Sequence, residues 1–308
     1  MPPARHFLTF ADSRLTPSLH RIADEARRTG IFNSIATCTE RSLDRTFRQR
    51  HGAILKPTVR GYGYWIWKPQ IILQTLRALP AGDILAYCDV GCRFTQRGRD
   101  RLEQYIRHAE ASPAGLVGFK YFPPAPPFPY DGRTLFDWRN SQRIKGDLLD
   151  YFGLRTITPF LEDYCFAGGV LFCGNTRGCR LFMETWLETM ETDIRLIDDS
   201  PSRSPNLPEF IEHRHDQAVF NCLAYKFGVP AICGYELQYP GATPDENDWD
   251  TIADYPIHAR RDKKLSASGR LRTPQRPAQT RARTKSPRSV NAKPRKPSSR
   301  SIASWRGC

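Results

Sequence analysis

The sequence predicts an α/β protein with a mostly parallel central sheet flanked by helices, followed by a disordered basic tail. Two patterns carry this prediction. Short apolar runs bounded by turn residues alternate with amphipathic stretches of helix length, the mark of βα units. The net charge of +14 is also unevenly spread. Residues 263–308 hold fourteen Lys and Arg and no acid, which leaves 32 basic and 32 acidic residues in the rest of the 308. A body of zero net charge argues against a dedicated nucleic-acid-binding domain. The tail, rich in Pro, Ser and Arg, has too little apolar surface to offset its ordering entropy. Its expected role is an electrostatic tether to an anionic membrane surface or nucleic acid, or no more than a solvated appendage.

The elements follow in order along 1–262, read as one domain. "RHFLTFADS" is a first strand leading to Asp12. "TPSLHRIADEARRTG" is a helix with Thr16 as cap, Pro17 in its first turn and Gly30 as stop. "FNSIATC" and "RSLDRTFRQRHG" form the next strand and helix, and "KPQIILQTLRALPAG" a helix opened by Pro69. The run Ile84-Leu85-Ala86-Tyr87-Cys88 is a buried strand that delivers Asp89 into a glycine turn. Open α/β sheets bind ligands beyond the carboxyl ends of their strands, so Asp89 sits where a metal, ribose or phosphate would sit, unless it only forms the turn. "RDRLEQYIRHAEA" and "GLVGFK" continue the alternation. "YFPPAPPFPYDGRTLFDWRN" has too many prolines for a central strand and is a long loop. A short helix, "KGDLLDYFG", precedes the strand "FAGGVLFCGN" with Gly168-Gly169 at its entry. The helices "TRGCRLFMETWLETME" and "DQAVFNCLAYKFG" follow, the second with Asp216 at or near its cap, and "YPIHARRD" closes the body.

Nine cysteines without a CxxC pair, mostly within apolar runs, read as reduced, buried thiols of a cytoplasmic protein. "HFLTFA" is too short for a signal segment, and no apolar run approaches the ~20 residues needed to cross a bilayer.

Several places carry chemistry. "GYGYWIWKPQ" lacks the third glycine of a dinucleotide fingerprint, but puts Lys68 at a helix entrance where an anion is favoured. Its Tyr64, Trp65 and Trp67 are stacking surfaces or core. In "HRHDQ", His213 and His215 fall in the entry loop of the helix begun by Asp216 and Gln217. Asp216 is then either a site residue, a helix cap, or both. Glu162 and Asp163 are alternative bases for a proton from an acceptor hydroxyl. Lys145 and Asp147 bind a donor or start a helix, and Trp138 stacks on an acceptor or anchors its loop.

Taken together, "TFADS", "ILAYCDVGC", and the pair "FAGGVLFCGN" and "HDQAVFNCL" resemble, in that order, the motifs of GT-A nucleotide-sugar glycosyltransferases of the glycogenin and bacterial lipopolysaccharide galactosyltransferase type. The resemblance spans most of residues 5–262 and implies transfer of a sugar from a nucleotide-diphosphate donor to a hydroxyl of a glycan or lipid-linked acceptor. It implies that Asp12 and Lys68 hold the nucleotide, with Gly91 and Gly169 beside the donor. Asp216 and Gln217 would address the donor sugar, and His215 and Trp138 the acceptor. His258 in "PIHARR" falls where that family has its last metal ligand, so Asp89 and His258 are the expected ligands of a divalent metal, Mn²⁺ or Mg²⁺, the histidine suiting Mn²⁺ better. One departure stands out: the family's second aspartate is Gly91 here. That weakens the metal site, or leaves Lys and Arg in the metal's place. The rivals are a protein acting on nucleic acid or an anionic surface through its tail, with an inactive GT-A-like domain, and a nucleotidyltransferase. "ADSRLTPS" lacks the glycine and lysine the latter needs.

Overall fold

The structure is a computed structural model and describes residues 3–243 and 246–263. The predicted tail lies outside the described residues, apart from Lys263. The elements that position the site are β1 (Arg5–Phe10), α1 (Thr16–Arg28), β2 (Ser34–Cys38), α2 (Arg45–His51), α3 (Trp67–Ala78), β3 (Ile84–Cys88), β4 (Arg93–Phe94), α4 (Arg99–Ala111) and β5 (Leu116–Lys120). They continue with α5 (Gly146–Phe152), β6 (Phe166–Gly174), α6 (Arg177–Thr192), α7 (Asp216–Phe227), β7 (Ala231–Cys233) and β8 (Ile257–His258).

Six strands form one mixed sheet in the order β2-β1-β3-β6-β5-β7. The pairs β1–β2, β1–β3 and β5–β7 are parallel, whereas β6 runs antiparallel to both its neighbours. The expected parallel arrangement therefore holds for the first half of the chain, and β6 is the exception. Strands buried on both faces read as unbroken apolar runs whichever way they point, so direction is not encoded locally. β4 and β8 pair antiparallel in a separate two-stranded ribbon.

The sheet separates two apolar layers. In β3, Leu85 and Tyr87 face the layer built with α3, α6 and α7, while Ile84, Ala86 and Cys88 face that of α1 and α4. This alternation follows from the period of two along a strand. α1 buries Leu19, Ile22, Ala23 and Ala26, the spacing of one helical face. Its N-cap is Leu15 rather than Thr16, because the Thr16 hydroxyl donates back to Ser13 O (2.7 Å) within a tight turn. The proline-rich segment is a loop, as expected, and Trp138 anchors it. That indole lies 4.5 Å from Tyr121 and 5.4 Å from Phe136, with Arg143 and Arg214 over its ring.

All eight cysteines among the described residues are free thiols. Burial pushes the thiols of Cys88, Cys92, Cys165 and Cys222 well above the ordinary range, so they are protonated at neutral pH. Iodoacetamide at pH 7.5 should leave these four unlabelled in the native protein and label them in denaturant. Peptide mass spectrometry reads both states, and rapid native labelling of any of the four would contradict their burial. No helix among the described residues is long and apolar enough to cross a membrane.

Candidate functional site

The chain runs from β1 to β2 on one side of β1, then returns to β3 on the other. Such a reversal opens a crevice beyond the carboxyl ends of the two inner strands. Asp12 follows β1 and Asp89 follows β3 at that edge. Asp89 is held from both sides. Its backbone N–H donates to Gly169 O (2.8 Å), and Tyr87, two residues earlier on the same face, donates its hydroxyl to Oδ1 (2.6 Å). Its Oδ2 lies so near Gly169 that a Cβ there would sit 3.1 Å away. Gly169 thus shapes the floor under Asp89. Asp89 keeps 34% of its side chain exposed.

Beneath it lies a buried ion cluster. The Lys68 ammonium, 3% exposed, donates to Asp216 Oδ2 (2.7 Å) and Gly168 O (2.9 Å) and stands 3.5 Å from Asp89 Oδ1. Burial pushes the Asp216 carboxyl up to about 6, in spite of Lys68, and the nearby Asp89 charge adds to the rise. Two carboxylates around one ammonium leave an excess of negative charge, so the more buried acid takes up a proton first. Asp216 is the first residue of α7, and Trp186 donates its indole N–H to Asp216 O (3.1 Å). Gln217 donates to Phe166 O (2.5 Å) and lies against Gly168, joining the start of α7 to the start of β6.

The segment before α3 aims Lys68 inward. Gly61 to Trp65 all have positive φ: 60°, 57°, 96°, 52° and 60°. A left-handed turn costs roughly 1–2 kcal/mol for each non-glycine residue and persists only where the surroundings over-determine it. Here the Trp67 indole, stacked on Phe10 at 4.0 Å, donates to Gly61 O (2.9 Å), and the Lys68 N–H donates to Trp65 O (2.9 Å). Tyr64 and Trp65 instead cover His215, at 5.5 and 5.6 Å between rings.

Asp89, Lys68, Asp216, Gln217 and Gly169 are brought together. The other expected residues have different neighbours. Asp12 is 8% exposed and accepts from the Arg14 guanidinium (2.6 and 3.1 Å) and from the Arg14 N–H. His215 is buried, with Nδ1 on Ile197 O (2.6 Å), and burial holds it neutral. Lys145 turns to Asp198 O and Ser200 O, and Asp147 accepts from the backbone of Arg203 and Ser204, so both brace a loop. Asp163 pairs with Lys120. Tyr87, Trp186 and the Gly168 carbonyl were not anticipated. The i, i+2 spacing of Tyr87 and Asp89 was the available signal.

Asp89 and His258, the two expected metal ligands, both have partners beside them, including a cation of like charge to a metal. Among the described residues no three His, Cys, Asp or Glu side chains gather as ligands. His258 is neutral by burial, with Nε2 on Ile252 O (2.8 Å) and Nδ1 facing the Arg260 guanidinium at 3.5 Å, so a second cation would meet that charge. Asp89 already has Lys68 beside it.

No family model matches the chain, and no curated protein sequence matches it. Solved structures similar to it include a glycosyltransferase involved in the glycosylation of the major capsid of PBCV-1 (9% identity, TM-score 0.42, covering 83% of this chain and 92% of that one). Others are the galactosyltransferase LgtC in complex with donor and acceptor sugar analogues (10%, 0.40, 82% and 86%) and mouse xyloside xylosyltransferase 1 (10%, 0.41, 84% and 97%). All three are glycosyltransferases by name, but similarity of this extent does not say which reaction a chain performs, which must be read from the site.

Proposed function

We propose that the chain is a glycosyltransferase, moving a sugar from a nucleoside-diphosphate donor to a hydroxyl of a glycan or lipid-linked acceptor. The observation that carries this is the half-exposed Asp89 at the sheet's reversal point, set over the buried Lys68–Asp216 pair. A preorganised cluster of this kind presents fixed charge to polar groups without reorganising during reaction. The order of the sequence motifs around the same residues supports the reading.

In the transfer, the bond between the anomeric carbon and the β-phosphate oxygen breaks, and its electron pair stays on phosphate. The acceptor oxygen forms the new bond to that carbon, and its proton passes to the departing diphosphate. Asp89 accepts hydrogen bonds from donor hydroxyls. Asp216 and Gln217, fixed at the start of α7, form the polar floor beneath the sugar, with Lys68 compensating the charge of Asp216.

A thermal-shift panel of UDP, GDP, CMP and their sugars on the full chain tests this. A ligand that binds only the folded state stabilises it by ~2.7 kcal/mol at a hundredfold excess over its dissociation constant. One nucleotide class should raise the melting temperature, and its sugar should be slowly hydrolysed. The reading fails if none does either.

A further inference from the structure

The turn after β3 is covered by the end of the described chain. The Asp262 N–H donates to Gly91 O (3.0 Å), the Arg93 guanidinium holds the Asp262 carboxylate, and Arg21 donates to Asp262 O (3.1 Å). A Cβ at Gly91 would lie 3.0 Å from Arg261 Cα and 3.4 Å from Lys263 Cε. A side chain at 91 would therefore press on the Arg261 backbone, and the side chain beside that position is a lysine. The Arg261 and Lys263 side chains are exposed, and neither has a hydrogen-bond or ion-pair partner among the described residues. Both charges reach into the site's surroundings. Lys263, like Lys68, acts on the buried Cys92 thiol beside Asp89, and Arg261, like Arg214, acts on the buried Tyr121 hydroxyl.

The geometry points to a cationic strap, residues 260–263, that binds the donor's diphosphate in place of a metal. This rests on the donor-transfer reading above and names how the leaving group is held. Arg261 and Lys263 stand over the turn that follows Asp89, while Arg260 is stacked on Trp249 at 4.8 Å. Guanidinium and ammonium groups make charge-assisted hydrogen bonds to phosphate oxygens and stabilise the negative charge that grows as the diphosphate leaves. Asp89 then needs no metal, because an ionised carboxylate can accept from ribose or sugar hydroxyls. A chain with this strap should use its donor in the presence of a chelator.

Calorimetric titration of the full chain with UDP and GDP, in EDTA and in Mn²⁺, tests this, with uridine and guanosine as controls. The dissociation constant of the preferred diphosphate should be the same in both buffers within about twofold. The paired substitution Arg261→Gln and Lys263→Gln should weaken diphosphate binding by about tenfold or more, the scale of one lost charge-assisted hydrogen bond, and leave nucleoside binding unchanged. Binding that requires Mn²⁺ and is lost in Asp89→Asn overturns the strap but keeps the transferase. Binding indifferent to the paired substitution also overturns it. Absence of diphosphate binding in both buffers overturns the transferase reading and the strap with it.

Discussion

Lys68→Met should destabilise the protein by about 3–5 kcal/mol, the cost of leaving a buried charge without its partner. For a body of this size that is a fall in melting temperature of roughly 6–20 °C. The reason is geometric. One ammonium serves Asp216 at 2.7 Å and Asp89 at 3.5 Å and also satisfies Gly168 O. Methionine fills the volume but leaves two carboxylates facing each other. Adding Asp216→Asn to Lys68→Met removes one of them and should recover more than half of the loss. Thermal denaturation of the two single variants and the double one forms a cycle that isolates the interaction. A fall below about 2 °C for Lys68→Met would show that water reaches this cluster.

The second large effect is on turnover. Asp216→Asn keeps the shape of the helix start and can still accept from Lys68, but it removes a fixed charge from the floor of the site. Donor hydrolysis should fall by about 10²–10³-fold, as for loss of one preorganised electrostatic group, while the fold survives. The wild-type rate should also fall as pH drops through about 6, because Asp216 takes up its proton there, and the Asn variant should lose that limb. The same shift has a signature in stability. The folded chain holds a proton on Asp216 that the unfolded chain releases near its ordinary pKa of about 4, so this residue's contribution declines as pH rises from about 4 to 6. A pH–rate limb unchanged in Asp216→Asn would move the titration to another residue.

Much of the architecture was legible in the sequence because it rests on local rules. The apolar run ending at Cys88, the helix 99–111 and the start of α7 at Asp216 are set by periodicity and turn residues within a few positions. The placement of Asp89, Asp216 and Gln217 at element ends follows from the same rules. Small elements were missed: β4 and β7, of two and three residues, are too short to show a period.

The sequence by itself determined which carboxylates stand at strand and helix ends, and that a glycine, Gly91, follows Asp89 in the turn. Only the tertiary structure decided what each of them meets. Lys68 and Asp216 are 148 positions apart and touch because α3 and α7 pack on one face of the sheet. Gly91 is covered by Arg261 and Lys263, far along the chain, because β8 pairs with β4 and returns the chain over the turn. Trp138 is flanked by Arg143 and Arg214, and His258 faces Arg260. Local preference acts over the few residues that share a turn or a strand. The pairing of distant charges depends on strand order and direction, which are settled only when the whole core closes.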